Sequence, residues 1–150
     1  RQDRLQRDPS AEVELDPIVR LRLGDVLGRL DPASERDAAP VLLPFARALE
    51  PDETVLHLVQ GWAKGSVCLV ASTDRRLVVV VARHPEPLVE TLTPESTSIS
   101  LYGPPGTDRV SLAVVDGRRL LEVTGIRDSA EAAAMRAAPT PRRRRRPEFF

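Results

Sequence analysis

Arg75 and Arg76 stand side by side in a polar break between two apolar runs, Val67 to Ala71 and Leu77 to Ala82. A guanidinium forks onto carboxylates and phosphates through parallel hydrogen bonds, so paired arginines in a turn suggest anion chemistry. One reading is a small anion or partner-contact site in which Lys64, the only lysine of the chain, joins Arg75 and Arg76 if the two hairpin ends meet. The other is structural: one arginine caps the turn while the second lays its stem along the sheet. Trp62, the single tryptophan, lies beside Gly61 and Lys64 and is either a core anchor or an exposed contact residue.

Other reactive side chains are scattered. His57 and His84 are the only histidines, and neither has Cys, His or carboxylate neighbours at metal-ligand spacing, so no metal site is expected. His57 reads as a strand residue and His84 as a loop residue. Ser72, Asp74 and a histidine are the raw material of a nucleophilic triad, but Ser72 lacks a nucleophile-elbow sequence. Gly103 to Gly106 lacks the Lys-Ser/Thr pair and the helix that follow a phosphate loop. We therefore assign no catalytic residue and no cofactor, and expect a non-enzymatic protein. Cys68, the one cysteine, sits in an apolar run and reads as a small buried hydrophobe in a reducing compartment.

The 22 basic and 22 acidic residues cancel, but not evenly along the chain. Five arginines, Arg142, Arg143, Arg144, Arg145 and Arg146, are consecutive near the end, which leaves the rest mildly acidic. A nucleic-acid-binding fold usually carries its basic face on the fold itself, so no nucleic-acid partner is expected. An arginine run of this kind is either a solvated tail or a contact for anionic lipid. No stretch is long and apolar enough to span a bilayer. Aromatic residues make up 3% of the chain, so its core must be built from Val, Leu and Ala.

These residues are positioned by a change of period. Residues 1–16 read as a flexible leader. Asp16-Pro17 is a helix start, with Leu23, Val26, Leu27 and Leu30 on one stripe, although Val19, Leu21 and Leu23 also alternate as a strand would. Asp31-Pro32 ends that helix. A second, within Ser34 to Leu49, has Pro40 in the first turn of its main part. From Thr54 the period is two: Val55, His57 and Val59 share one face, with Leu56 and Leu58 on the other, and Gly61 marks a bulge or bend. The 65–83 stretch is a β-hairpin whose turn Asp74 should stabilise by bonding local backbone. Its second strand is apolar on both faces and must be covered by other strands. Strands follow over Leu88 to Thr93, Ser98 to Tyr102, Val110 to Val114 and Arg119 to Val123. Asp116-Gly117 forms a type I′ turn between the last two. Asp128 and Glu131 resemble a capping box on a closing helix that presents Ala130, Ala133, Ala134 and Ala137 as a small-residue stripe.

That order resembles the bacterial PH-like domains, in particular the family with a YokE-type PH domain. Leu49-Glu50-Pro51-Asp52-Glu53 is similar to the family's "L-x-P-G-E" entry, and Ser72-Thr73-Asp74-Arg75-Arg76-Leu77 to its "T-D-R-R-L" hairpin, with Asp52 where the family often has Gly. The resemblance covers about residues 49–137. It implies a mostly β fold with α: a PH-like antiparallel barrel, or two packed sheets, capped by a C-terminal helix and here preceded by N-terminal helices. The expected division is a leader at 1–16, a helical segment at 17–49, the PH-like domain at 50–137 and a disordered Pro/Arg tail at 138–150. The expected function is a cytoplasmic, non-catalytic module that binds a protein partner or its own copies. The alternative is an adaptor at the membrane periphery that rests its arginine tail on anionic lipid.

Overall fold

The computed structural model describes residues 16–92, 96–104 and 110–137. Two helices, α1 (Pro17–Leu27) and α2 (Pro32–Ala48), precede seven strands. These are β1 (Val55–Ala63), β2 (Ser66–Thr73), β3 (Leu77–Val81), β4 (Leu88–Leu92), β5 (Thr97–Tyr102), β6 (Val110–Asp116) and β7 (Arg119–Ile126), followed by α3 (Ser129–Ala137). The leader and the Pro/Arg tail expected at the two ends lie outside the described residues, apart from Asp16.

Both N-terminal helices begin with an Asp-Pro pair. The Asp16 carboxylate accepts the Ile18 N–H at 2.9 Å, and Asp31 accepts that of Ala33 at 2.8 Å. Proline at the first helical position surrenders an N–H that had no partner there anyway. In α1 the helical period wins: Val19, Leu23, Val26 and Leu27 are buried, whereas Leu21, which a strand would bury beside them, is 81% exposed. Asp31-Pro32 starts α2 rather than only ending α1, so the second helix opens well before Pro40 and runs through both Pro40 and Pro44. The two prolines are four residues apart on one face. Pro40 is exposed, where water can satisfy the carbonyl that a helix proline frees.

The strands are antiparallel, in the order β4-β3-β2-β1-β7-β6-β5. The sheet bends so that both of its ends share one core: Val59, Val70, Val79 and Leu92 meet Leu112, Val114, Val123 and Ile126, with Ala132 and Met135 of α3 packed in. The opposite face of β1, β2 and β3 is covered by helices. Leu58, Leu69, Ala71, Val78 and Val80 pack against Val19, Leu23, Val41, Leu42 and Phe45. The apolar double face of β3 therefore has two different covers, strands on one side and α1 with α2 on the other. The helical segment and the sheet are thus joined by a common core.

Four local readings change. A register shift between Val55 and His57 puts Val55 in the helix-side cluster and Val59 in the other, because a bulge moves every later side chain to the opposite face. Gly61 is where β1 meets β7: a Cβ there would lie 2.5 Å from Val123 Cγ1 and 2.8 Å from the Thr124 carbonyl oxygen. Asp116 pairs with Arg119, so the two turn residues are Gly117 and Arg118. Only Gly117 has left-handed φ, at +66°, which is the type II′ pattern rather than type I′. In α3 the buried residues are Ala132 and Met135, and the expected alanine stripe faces solvent, because the one large side chain decides which way a helix of alanines turns.

Candidate functional site

The arginine pair is held by the protein's own carboxylates. Arg76 forks onto Glu53, with Nε and Nη2 each 2.8 Å from a carboxylate oxygen, and also donates to the Ala48 carbonyl and to Thr91 Oγ1. The Glu53 side chain is fully buried. It further accepts the Thr73 hydroxyl at 2.6 Å and the Glu50 N–H at 3.0 Å. Burial opposes ionisation of Glu53, but the hydrogen bonds from Arg76, Thr73 and the Glu50 backbone outweigh it and hold the carboxyl down at about 2. Arg75 is spent on Glu50 and Asp52 at the surface. Nor does Asp74 bond its own turn: its carboxylate accepts the Thr54 N–H at 3.0 Å, while Thr73 Oγ1 accepts the N–H groups of Arg75 and Arg76. The sequence words Leu49–Glu53 and Ser72–Leu77 therefore meet as a clasp between the entry to β1 and the β2–β3 turn. Arg22 of α1 ties in by donating to the carbonyls of Glu50 and Glu53.

Lys64 is not part of that clasp. It lies in the β1–β2 turn, at the other end of β2, about 25 Å from the arginines at about 3.3 Å per strand residue. The expected site of Lys64, Arg75 and Arg76 is therefore not assembled, because β2 is traversed once between its two turns. Lys64 and Gly65 both have left-handed φ, 52° and 82°, as a type I′ turn requires. Trp62 is half-buried, with its ring against Gly125, where a Cβ would meet Trp62 Cδ1 at 2.9 Å. It is thus a seam residue between β1 and β7 rather than a member of either core. The five arginines Arg142 to Arg146 lie outside the described residues.

Past Trp62, β1 and β7 separate. Their register contains one pair, Trp62 with Thr124, whereas β6 pairs with β7 along its length. Between the parting strands lies an open cleft of about 780 Å³. Its walls are Ala63 to Ser66 of the β1–β2 hairpin, Val81, Arg83 and Leu88 at the β3–β4 end, and Leu120 to Glu122 and Thr124 of β7. Val81 and Leu121 extend from the sheet core into this opening, and Leu120 is 66% exposed. Lys64 and Arg83 are exposed and form no ion pair among the described residues. Arg119 at the mouth is paired with Glu90 of β4. Sequence reading missed Arg83 and Leu120. Arg83 follows the apolar run of β3, and Leu120 breaks the alternation of β7, but neither signal says that strands part there.

Of the remaining candidates, His57 and Asp128 have structural partners, whereas the buried Ser72 hydroxyl has none among the described residues. His57 Nδ1 lies 3.3 Å from the Glu131 carboxylate, which also receives Arg29 at 2.9 Å. Burial works against the charge on Glu131, yet Arg29 and His57 leave its carboxyl below the ordinary range. Asp128 accepts the Asp31 N–H at 2.8 Å, so the residues read as a capping box link α3 to the N-terminal helices. His84 is exposed in the loop after β3. Burial pushes the Cys68 thiol up to about 12, which removes it as a nucleophile at neutral pH. Among the described residues no helix is long and apolar enough to cross a membrane. Comparison with known proteins returns no match, whether to a family model, a curated protein or a solved structure.

Proposed function

We propose that the chain is a non-catalytic interaction module of PH-like architecture that holds a protein partner in the cleft between β1 and β7. The cleft carries this reading. Its volume is within the range of ligand sites, its floor is apolar, and its rim bears two cations left without ion pairs among the described residues. The PH-like assignment draws support from the order of seven antiparallel strands, the shared core of the bent sheet and the closing helix packed against it. A cytoplasmic setting suits the lone, buried cysteine. A second copy of the chain is the other protein occupant this reading admits. The test is a photo-crosslinking residue at Leu120 in the source cells. A discrete adduct is expected, and its mass separates a partner from a second copy. Absence of any adduct contradicts the reading.

A second reading is favoured by the segregation of charge, with five consecutive arginines beside an otherwise mildly acidic chain. Here the module rests on anionic membrane, each basic residue near the surface contributing about 1 kcal/mol. Sedimentation with phosphatidylserine vesicles should fall steeply with salt and vanish on deletion of Pro141 to Phe150. Binding that survives the deletion excludes the tail as its cause.

A further inference from the structure

Resting on the reading of the cleft as a protein site, we infer that its occupant is an extended peptide, added as a strand to the free edge of β7, with acidic side chains alternating with apolar ones.

Three observations converge. The first is backbone. From Arg119 to Val123, β7 is paired with β6 on one side, while on the other its register with β1 begins only at Thr124. A strand with one unpaired edge offers a row of N–H and C=O groups to another chain, and proteins commonly blunt such edges with proline, bulges or a covering element. No proline occurs from Arg119 to Val123. The second is shape. Beyond the Trp62–Thr124 pair lies an open cleft of about 780 Å³, with Arg119 at the far end of this edge tied to Glu90 of β4. The third is side-chain chemistry. Val81 and Leu121 give an apolar floor to one face of an inserted strand, and Lys64 and Arg83 stand on the rim where its carboxylates would lie.

These features select a peptide over the other occupants. Strand addition draws affinity from main-chain hydrogen bonds and specificity from pockets for alternate side chains. A lipid headgroup would use the two cations but leave the edge of β7 unused. A nucleic acid would lay a continuous run of phosphates along this wall, Glu122 included, whereas a peptide of alternating residues carries carboxylates only at some positions and can place them at Lys64 and Arg83.

The experiment selects a random peptide library displayed on phage against the full 150-residue chain. The best sequence is then synthesised with ordinary amides and in two forms N-methylated at alternate residues. Selected sequences should alternate apolar and acidic residues. One N-methylated form should bind at least tenfold more weakly, and the other should be little affected. The double variant Lys64→Glu/Arg83→Glu, at two exposed positions, should lose at least tenfold with an unchanged circular dichroism spectrum. Amide exchange from Arg119 to Val123 should slow in the complex. If neither methylation matters but the rim variant still weakens binding, strand addition is wrong and the cleft remains the site. If the rim variant binds normally and exchange at β7 is unchanged, both this inference and the site are wrong. A selection that yields no specific peptide, while phosphatidylserine vesicles bind in a rim-dependent way, replaces the peptide with membrane.

Discussion

Glu53 is a buried charge whose pairing decides the stability of the clasp. A carboxylate out of water is tolerated only when its oxygens are bonded, and here a guanidinium fork, a hydroxyl and a backbone N–H share the task. Arg76→Ala leaves that charge uncompensated and should cost about 3 kcal/mol in chemical denaturation. Because the Glu53 carboxyl is held near 2 instead of its ordinary 4.5, its contribution is present above pH 4.5. It is lost as pH falls from about 4.5 towards 2, where the folded form also takes up the proton. Denaturation midpoints of the parent should therefore drop across that window, and Glu53→Gln should flatten part of the drop. Identical slopes would mean that Glu53 is not ionised in the fold. Asp74→Ala removes the acceptor for the Thr54 N–H and should cost about 1 kcal/mol. The arginine pair was legible as a pair, with capping one of its two readings. Its partners were not legible, because Glu53 lies 23 residues from Arg76 and only the fold of the first hairpin brings them together.

At the scale of the element, β1 is the strand on which the others depend. It changes faces at the bulge near Leu56, buries Leu58 against helices and Val59 against strands, and touches β7 at Gly61. Gly61→Ala pushes a methyl into Val123 and the Thr124 carbonyl. One of these neighbours is backbone, which cannot rotate away, so the cost should reach about 2 kcal/mol. Gly24→Ala in α1, where the new methyl meets nothing within 4 Å, should be neutral or slightly stabilising in the same measurement. The starts of α1 and α3 and most strand periods are readable because caps and alternation are local signals, whereas the start of α2 is not, since Asp31-Pro32 also suits the end of α1. Nor is the direction of α3, since a run of alanines has no periodicity to read.

For the whole molecule, the helical segment and the sheet share one core and should unfold together. Removing residues 17–49 would expose Leu58, Leu69, Ala71, Val78 and Val80 together, a continuous apolar face on three strands. A chain beginning at Glu50 should therefore aggregate or lose its cooperative thermal transition. A soluble fragment with the parent's transition would contradict the shared core. The strand count and the closing helix could be anticipated from the order of short alternating runs. The cleft could not, because it arises where β1 and β7 part after one pair, and register between strands some 60 residues apart is set by packing rather than by either strand's sequence.

The most direct measurement places the same photo-crosslinking residue in turn at Leu120, on the wall of the cleft, and at Leu21, the most exposed apolar side chain of α1. The cleft as partner site predicts an adduct from Leu120 that disappears with Lys64→Glu/Arg83→Glu, and none from Leu21. An adduct from Leu21 alone, or one from Leu120 that is indifferent to the rim charges, would contradict it.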